Sequence, residues 1–177
     1  LDVSRTSVRE ALRHLESEGL VQYAGQRGPS VTVLDAVDVK NIYELRAALE
    51  GLAGELFCSR ASDQQVQQLQ ATTNALKESF DRSEVSEILA CTKDFYDQLL
   101  EGSGNLELGS SLNRLLARIM VLRAGTISKT GRWEDSLTEM QNIMQAIAKR
   151  DPEAARQACV GHVQAAGAIA LKQINNA

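Results

Sequence analysis

The chain has 177 residues, of which 44% are hydrophobic and 24% charged, and its net charge is −4. This composition is typical of a soluble globular protein, and the acidic balance excludes a protein that is only a basic DNA-binding module. No apolar run approaches the ~18 residues that a membrane span needs, and no signal peptide is visible, so we expect a cytoplasmic protein.

The first predicted element is an amphipathic helix close to the start of the chain. Its apolar residues recur at the spacing of one helix face: Val8, Ala11, Leu12 and Leu15. Its cations recur every four residues on a different face: Arg5, Arg9 and Arg13. Ser4 or Thr6 can cap the first turn, and Gly19 suits the left-handed conformation that ends a helix. The pattern is typical of a DNA-recognition helix, although an ordinary helix with solvated arginines has the same periodicity.

A short β-hairpin is predicted after this helix. Apolar or β-branched runs at residues 20–23 and 30–34 flank the turn-rich segment 25–29, which carries Arg27. A helix followed by a hairpin with a cation at its tip is the second half of a winged helix-turn-helix. In that motif the helix enters the major groove of DNA and the wing contacts the backbone or the minor groove.

The literal sequence of this region resembles the DNA-binding signature of the GntR family of bacterial transcription regulators. The resemblance rests on VSRTSVREALRHLESEGLV followed by RGPSV, and it covers residues 1–34. It implies DNA contacts by Arg5, Thr6, Arg9, Arg27 and Gly28. It also implies two helices ahead of the recognition helix, so that Leu1 would correspond to the end of the second one, and we expect the chain as it stands to bind DNA weakly.

From Asp35 onward the sequence predicts six helices and no strand, at about residues 37–60, 63–81, 83–100, 106–124, 133–149 and 153–174. The first should bury a stripe formed by Leu45, Ala48, Leu49, Leu52 and Leu56. The predicted helix starts are Ser62 with Gln65, Ser83, Asn105, and Asp151 with Pro152, and residues 125–131 form a polar break. The expected fold is mostly α: a truncated winged helix-turn-helix (residues 1–34) followed by an all-α six-helix bundle (residues 35–177).

This helical region resembles the FCD domain of FadR-type GntR regulators. The resemblance rests on YELRAALE at residues 43–50, on Phe95 with SGN at 103–105, and on IMQAIAKRD at 143–151 with EAA at 153–155. It implies a domain that dimerises and binds a small organic acid, in many members through a divalent metal.

The resemblance also implies where metal ligands would lie. The family uses an Asp and a His four residues apart on one helix and two further His residues, which correspond to Thr92, Tyr96, Met140 and His162. Three imidazoles and a carboxylate suit a divalent transition metal, and here only His162 keeps its type. We therefore expect neither a metal nor another cofactor.

Without a metal, an anionic effector needs another cation. The resemblance makes Arg46, Arg118 and Arg123 the candidates, and the predicted effector site comprises Arg46, Thr92, Tyr96, Arg118, Arg123, Met140 and His162. Three alternatives stay open: surface ion pairs for the arginines, a less polar effector among the methionines Met120, Met140 and Met144, and a domain that only dimerises.

No catalytic constellation is apparent, so we do not expect an enzyme. Cys159 and His162 lie three residues apart, but no third group orients the histidine, and free thiols are expected at Cys58, Cys91 and Cys159. The predicted function is that of a dimeric transcription regulator, a repressor, whose affinity for operator DNA changes when a small organic acid binds. The alternative is a metal-free FCD scaffold that serves dimerisation only.

Overall fold

The computed structural model describes residues 4–23, 28–123 and 132–175, without the side chains of 120–123, 132 and 133. The described residues form seven helices and one two-stranded antiparallel sheet: α1 Arg5–Ser17, β1 Val21–Tyr23, β2 Pro29–Val31, α2 Ala36–Arg60, α3 Asp63–Asp81, α4 Val85–Ser103, α5 Leu106–Arg123, α6 Arg132–Ala148 and α7 Pro152–Asn175. The predicted fold class is confirmed, with a helix and a hairpin ahead of a bundle of six helices.

Helix α1 and the hairpin form what we call the helix–hairpin unit (residues 4–34). The side chain of Ser4 accepts a hydrogen bond from the backbone N–H of Ser7 at 3.1 Å, so Ser4 rather than Thr6 caps α1. Gly19 follows the helix with φ +70°, the left-handed conformation predicted for it. Strands β1 and β2 pair in register, with Val21 opposite Val31. The apolar stripe of α1 lies at the surface of the described chain, and Val8 is 47% exposed.

Helix α2 is the central helix of the bundle and contacts α4, α5, α6 and α7. It packs most extensively against α7, and small residues permit the close approach. A Cβ atom on Gly54 would lie 2.7 Å from Sγ of Cys159, and one on Gly51 would lie 2.8 Å from Cγ2 of Val160. Both distances are too short for real atoms, so the two helices meet where these side chains are absent.

The predicted buried stripe of α2 is wrong. Leu45 and Leu52 are exposed, together with Ala48, whereas Leu49 and Leu56 are only half-buried. The buried face lies elsewhere on the helix and combines large apolar residues, small residues and an ion pair: Val39, Ile42, Tyr43, Arg46, Ala47, Glu50, Gly51, Ala53, Gly54, Phe57 and Cys58. Close packing against α7 selects glycine and alanine, so the leucines mark the opposite side of the helix.

Two clusters of buried side chains form the core. The larger cluster joins α2, α3, α4, α5, α6 and α7 around fully buried Phe57, Phe95 and Ile147. The smaller one connects the end of the helix–hairpin unit to the bundle: Leu34, Val39, Ile42, Tyr43, Ala47, Ile119 and Val163. In the described part of the chain, no helix is long and apolar enough to cross a membrane.

Most of the predicted helix starts are confirmed. Ser62 and Gln65 form a reciprocal capping box, Asn105 accepts from the N–H of Leu108 at 3.3 Å, and Asp151 accepts from the N–H of Ala154 at 3.0 Å.

The start predicted at Ser83 is wrong. Ser83 adopts φ +58°, and α4 begins at Val85 after an N-cap residue that makes no side-chain cap. Helix α4 also runs on to Ser103 and ends at Gly104, which has φ +61°. The predicted polar break at residues 125–131 lies outside the described residues.

Candidate ligand-binding site

A buried arginine lies at the centre of the bundle. Arg46 is 0% exposed, and its Nε forms a hydrogen-bonded ion pair with Glu50, one helical turn later on α2. The guanidinium carbon lies 5.5 Å from the ring centroid of Tyr43 and 5.7 Å from that of Tyr96. Two aromatic rings and a carboxylate therefore surround a positive charge that water does not reach.

A continuous series of polar contacts extends from this arginine across four helices. Nη2 of Arg46 donates to the hydroxyl of Tyr96 on α4 at 3.2 Å. The same hydroxyl lies 2.6 Å from Nε2 of His162 on α7, and Nδ1 of His162 lies 2.7 Å from a carboxylate oxygen of Glu139 on α6. We call Glu50, Arg46, Tyr96, His162 and Glu139 the polar chain.

The donor direction along the polar chain depends on the tautomer of His162. Arg46 can only donate, so the hydroxyl oxygen of Tyr96 accepts, and its proton is free to point to Nε2 of His162. In the tautomer that carries its proton on Nδ1, His162 donates to the carboxylate of Glu139, and its Nε2 accepts from the hydroxyl of Tyr96. This tautomer gives each of the three contacts a donor and an acceptor.

Arg46 stays charged in this environment. Burial alone lowers the pKa of its guanidinium, but the carboxylate of Glu50 and the hydroxyls of Tyr96 and Tyr43 raise the pKa overall. One of its donor atoms, Nη1, is buried and has no hydrogen-bond partner among the described residues. An unpaired buried donor on a charged group costs more than the ~1–3 kcal/mol of a neutral one, so this atom marks a place for an acceptor.

The described donors at the four family positions do not fit a divalent metal. The hydroxyl of Thr92 donates to the carbonyl of Ile88 at 2.7 Å, and the phenol of Tyr96 lies against Nε2 of His162. Met140 is buried and offers only a thioether. A neutral thioether, a phenol and an alcohol are poor ligands for metals that prefer imidazole and carboxylate. Within the described ranges, no three His, Cys, Asp or Glu residues are placed to hold a metal ion.

The structure brings some of the predicted effector residues together and not others. Arg46, Tyr96 and His162 belong to the polar chain, and Thr92 and Met140 lie beside it in sequence, one turn before Tyr96 and directly after Glu139. The side chain of Arg118 instead lies against Gly19, at the helix–hairpin unit. The side chain of Arg123 lies outside the described residues.

Sequence reasoning missed two members of the polar chain, Glu50 and Glu139. Glu50 had a signal, because it lies four residues after Arg46 and an i, i+4 pair of opposite charge shares one helix face. Glu139 had none, because a carboxylate beside an apolar residue on a helix is ordinarily solvated. Its role becomes visible only when α6 and α7 are placed side by side.

A nucleophile pair of Cys159 and His162, which the sequence did not favour, gains no support from the surroundings of either side chain. Cys159 is 1% exposed, and burial, together with the charges of Glu50 and Cys58, raises the pKa of its thiol. The reactive thiolate is therefore suppressed. His162 is engaged with Tyr96 and Glu139.

The predicted DNA contacts lie on the helix–hairpin unit. Arg5, Thr6 and Arg9 are exposed on α1, and Gly28, with φ +79°, directly precedes β2. Arg27 lies outside the described residues. The arginines are four residues apart on a helix, so they project from one face and are free to meet a partner.

Comparisons with known proteins cover both parts of the chain. The model of the FCD domain matches residues 41–165, and the model described as bacterial regulatory proteins, gntR family, matches residues 1–31. The chain is 33% identical over 164 residues to the uncharacterized HTH-type transcriptional regulator YdhC of Bacillus subtilis, a match that covers 90% of this chain and 72% of that protein.

Two further likenesses come from Escherichia coli. The HTH-type transcriptional repressor RspR is 27% identical over 164 residues, with 92% of this chain and 72% of that protein covered. The solved structure of McbR/YncC superimposes with a TM-score of 0.83 at 22% identity, and the match covers 98% of this chain and 87% of that chain. At this level of identity the structural likeness shows a shared fold.

Proposed function

The chain belongs to the GntR family of bacterial transcription regulators and carries an FCD domain, and from this we propose that a small organic acid bound in the helical domain changes its affinity for operator DNA. In this proposal residues 1–34 read DNA, and residues 35–177 bind the effector and dimerise. The two activities are linked because an effector that prefers one arrangement of the protein shifts the population toward it.

The observation that carries the proposal is the unpartnered Nη1 of Arg46. Its Nε is committed to Glu50 and its Nη2 to Tyr96, so Nη1 is the donor left for a ligand. A carboxylate makes the strongest bond to such a donor, because a charge-assisted hydrogen bond is roughly twice as strong as a neutral one. Tyr96 and His162 are the neighbouring polar groups, and either would donate to the acid only in place of its present contact.

We propose that this binding needs no metal. In relatives with a metal, the ion would supply the positive charge that attracts the acid; here a buried guanidinium supplies it. The poor donor set at Thr92, Tyr96 and Met140 supports this view, as does the engagement of His162 by Tyr96. The cofactor prediction accordingly remains a metal-free site.

We also propose that the regulator acts as a dimer on a two-fold operator. A symmetric protein matches a palindromic site, with one recognition helix in each half. In this proposal Arg5, Thr6 and Arg9 contact bases or phosphates in the major groove, and Arg27 and Gly28 belong to the wing. Exposure of Arg5 and Arg9 on α1 supports this assignment.

The proposal is tested by thermal unfolding in the presence of small mono- and dicarboxylic acids, each with a chelator present. We expect a saturable stabilisation by at least one acid, since a ligand that binds only the folded state stabilises it by mass action. The diagnostic variant is R46M/E50Q, which removes both members of the buried pair, because Arg46→Met alone would strand a buried carboxylate.

A matched control is R156M/E55Q, which removes an exposed ion pair between α7 and α2 with an N–O distance of 3.4 Å. Acid-dependent stabilisation should be lost in the first variant and kept in the control. Stabilisation that appears only with added divalent metal would contradict the metal-free site. A lack of response to every acid would favour the alternative, an FCD scaffold that serves dimerisation only.

A further inference from the structure

Helix α5 meets the helix–hairpin unit at Arg118. A Cβ atom on Gly19 would lie 3.4 Å from both Cδ and Nε of Arg118 and 3.9 Å from its Cζ. The arginine stem therefore lies over the residue that ends the recognition helix. Because Gly19 has no side chain and adopts φ +70°, the approach is possible without a clash.

The charge of Arg118 suits this position. The carboxyl end of a helix carries a partial negative charge, because its last carbonyl groups have no partner within the helix. The exposed carboxylate of Glu16 and the half-buried carboxylate of Glu18, the C-cap residue, add negative charge near the same end of α1. Nε of Arg118 is buried and has no hydrogen-bond partner among the described residues. The guanidinium thus lies where a cation stabilises the end of the recognition helix.

The contact continues into the wing and the core. A shallow crevice at this point, which we call the cavity although it has no room for a water molecule, is lined by Gly19, Leu20, Thr32, Leu34 and Arg118. The backbone N–H of Thr32 donates to the carbonyl of Leu20 at 3.0 Å, which ties the second strand of the hairpin to the end of α1. Arg118 therefore faces the helix exit and the wing at the same time.

The same cavity borders the smaller core cluster. Leu34 lines the cavity and packs in that cluster with Tyr43 and Ile119, the neighbour of Arg118 on α5. The guanidinium carbon of Arg46 in turn lies 5.5 Å from the ring centroid of Tyr43. A packed series of side chains thus connects the end of the recognition helix with the arginine at the centre of the bundle.

We propose that Arg118 is a positioning residue for DNA recognition, not an effector ligand: it seats the end of α1 and the wing on α5. We further propose that this seat is coupled to Arg46 through Leu34 and Tyr43. Where a bound effector alters the seat, this second proposal rests on the proposed function. Contiguous packing is a route for coupling and becomes evidence only when both ends respond together.

The seat is tested by hydrogen–deuterium exchange of the chain with Arg118→Ala, Arg118→Lys and Arg114→Ala. Arg114 is exposed one turn earlier on α5 and serves as the matched control. In Arg118→Ala we expect exchange in residues 16–23 and 30–34 to rise roughly tenfold, which corresponds to ~1.4 kcal/mol of local stability. Arg118→Lys should restore part of the protection because it keeps a cation at the helix end. Equal exchange in the two alanine variants would overturn the proposal.

The coupling is tested without any ligand. R46M/E50Q should change exchange in residues 16–23 by roughly twofold or more in the parent chain, within the range of coupling seen along packed networks. The same change should vanish when Arg118→Ala is also present. An equal effect in both backgrounds would overturn the coupling. Because no acid is used, failure of the effector proposal in the thermal screen remains a separate result.

Discussion

The burial of the charged Arg46 side chain has a free-energy cost that its contacts only partly offset. Taking a guanidinium and a carboxylate out of water costs several kcal/mol for each ion, and their attraction offsets this only when the geometry is good and other donors are satisfied. Arg46 and Glu50 meet the first condition through a direct ion pair within α2. The second is met in part, because Nη1 has no partner in the described part of the chain. Stability alone does not account for such a pair, which is why we proposed that Nη1 meets an acceptor from a ligand.

The hydroxyl of Tyr96 should contribute measurably to stability, because it joins Arg46 to His162. Tyr96→Phe removes a partner from a buried donor, and we expect the free energy of unfolding to fall by about 1–3 kcal/mol in urea denaturation. Tyr43→Phe is the matched control, since it keeps the ring under Arg46 and should change the free energy by less than ~0.5 kcal/mol. An equal loss in both variants would contradict a specific role for the Tyr96 hydroxyl.

Cys159 should make stability depend on alkaline pH. Burial raises the pKa of its thiol, so the folded protein keeps the proton after the unfolded chain has released it. The unfolded state then binds fewer protons, and the free energy of unfolding should fall as pH rises above ~8.5, by up to ~1.4 kcal/mol per pH unit from this thiol. Cys159→Ala should have a shallower decline between pH 9 and 10 in reducing buffer, with pH 7 as the baseline. Parallel curves would refute the assignment.

At the level of elements, glycines decide how closely the helices pack. A Cβ atom on Gly102 of α4 would lie 2.5 Å from Cδ2 of Phe57, which is fully buried on α2. Gly102→Ala should therefore lower the free energy of unfolding by about 1–3 kcal/mol, the usual cost of overpacking a core. Gly161 on α7 is exposed with nothing within 4 Å of its Cβ position. Gly161→Ala should raise stability by up to ~1 kcal/mol, and the opposite signs are checked by chemical denaturation.

The helix boundaries were predictable because the residues that start and stop helices act locally. Ser62, Asn105 and Asp151 each cap a backbone amide within three residues. Ser83 looked equivalent in sequence, but its positive φ places it in the turn before α4. A serine can serve either position, and only the path of the chain after α3 decides between them.

The buried face of α2 was not predictable from its leucines. A hydrophobic stripe identifies the buried side when one face of a helix is covered by larger side chains. Helix α2 instead packs closely on α7 through glycine and alanine, and it buries an ion pair. These residues carry little hydrophobic signal, so the leucines on the other side dominated the pattern.

At the scale of the whole molecule, the exposed leucines of α2 should form part of a dimer interface. Leu45 is 50% exposed and Leu52 is 37% exposed, seven residues apart on one face. A symmetric pair of chains can bury such a stripe against its own copy. The double variant L45E/L52E should elute as a monomer in size-exclusion chromatography with light scattering, whereas Leu89→Glu on α4 should not change the mass. A dimeric double variant, or a monomeric parent, would contradict this interface.

The arginines of α1 should account for operator affinity. Arg9→Ala or Arg5→Ala should weaken binding to an operator duplex by about 1–3 kcal/mol where the side chain pairs bidentately with guanine. Lys149→Ala, an exposed cation after α6, is the control. Fluorescence anisotropy at fixed salt measures the difference, because salt alone changes every phosphate contact. Arginine variants that match the control would refute the contacts.

The residues predicted for the effector site do not all lie together in the structure. Arg46, Tyr96 and His162 were predicted from the resemblance to the FCD domain, and in the structure Tyr96 contacts both of the others. Arg118 was assigned to the same site, but α5 carries it to the end of α1 instead. Sequence spacing fixes which side of a helix a residue occupies, and it leaves open which neighbour that side meets.

The polar chain makes residues on four helices interdependent. In the three contacts that join Arg46 to Tyr96, Tyr96 to His162 and His162 to Glu139, donor and acceptor lie on different helices. Replacing one residue therefore changes what the next one must accept or donate. A histidine at position 96, for example, could not accept from Arg46 and donate to His162 through one atom. Replacing any one of Arg46, Tyr96, Glu139 and His162 therefore removes a contact from a residue on another helix, and a second replacement on that helix is needed to compensate.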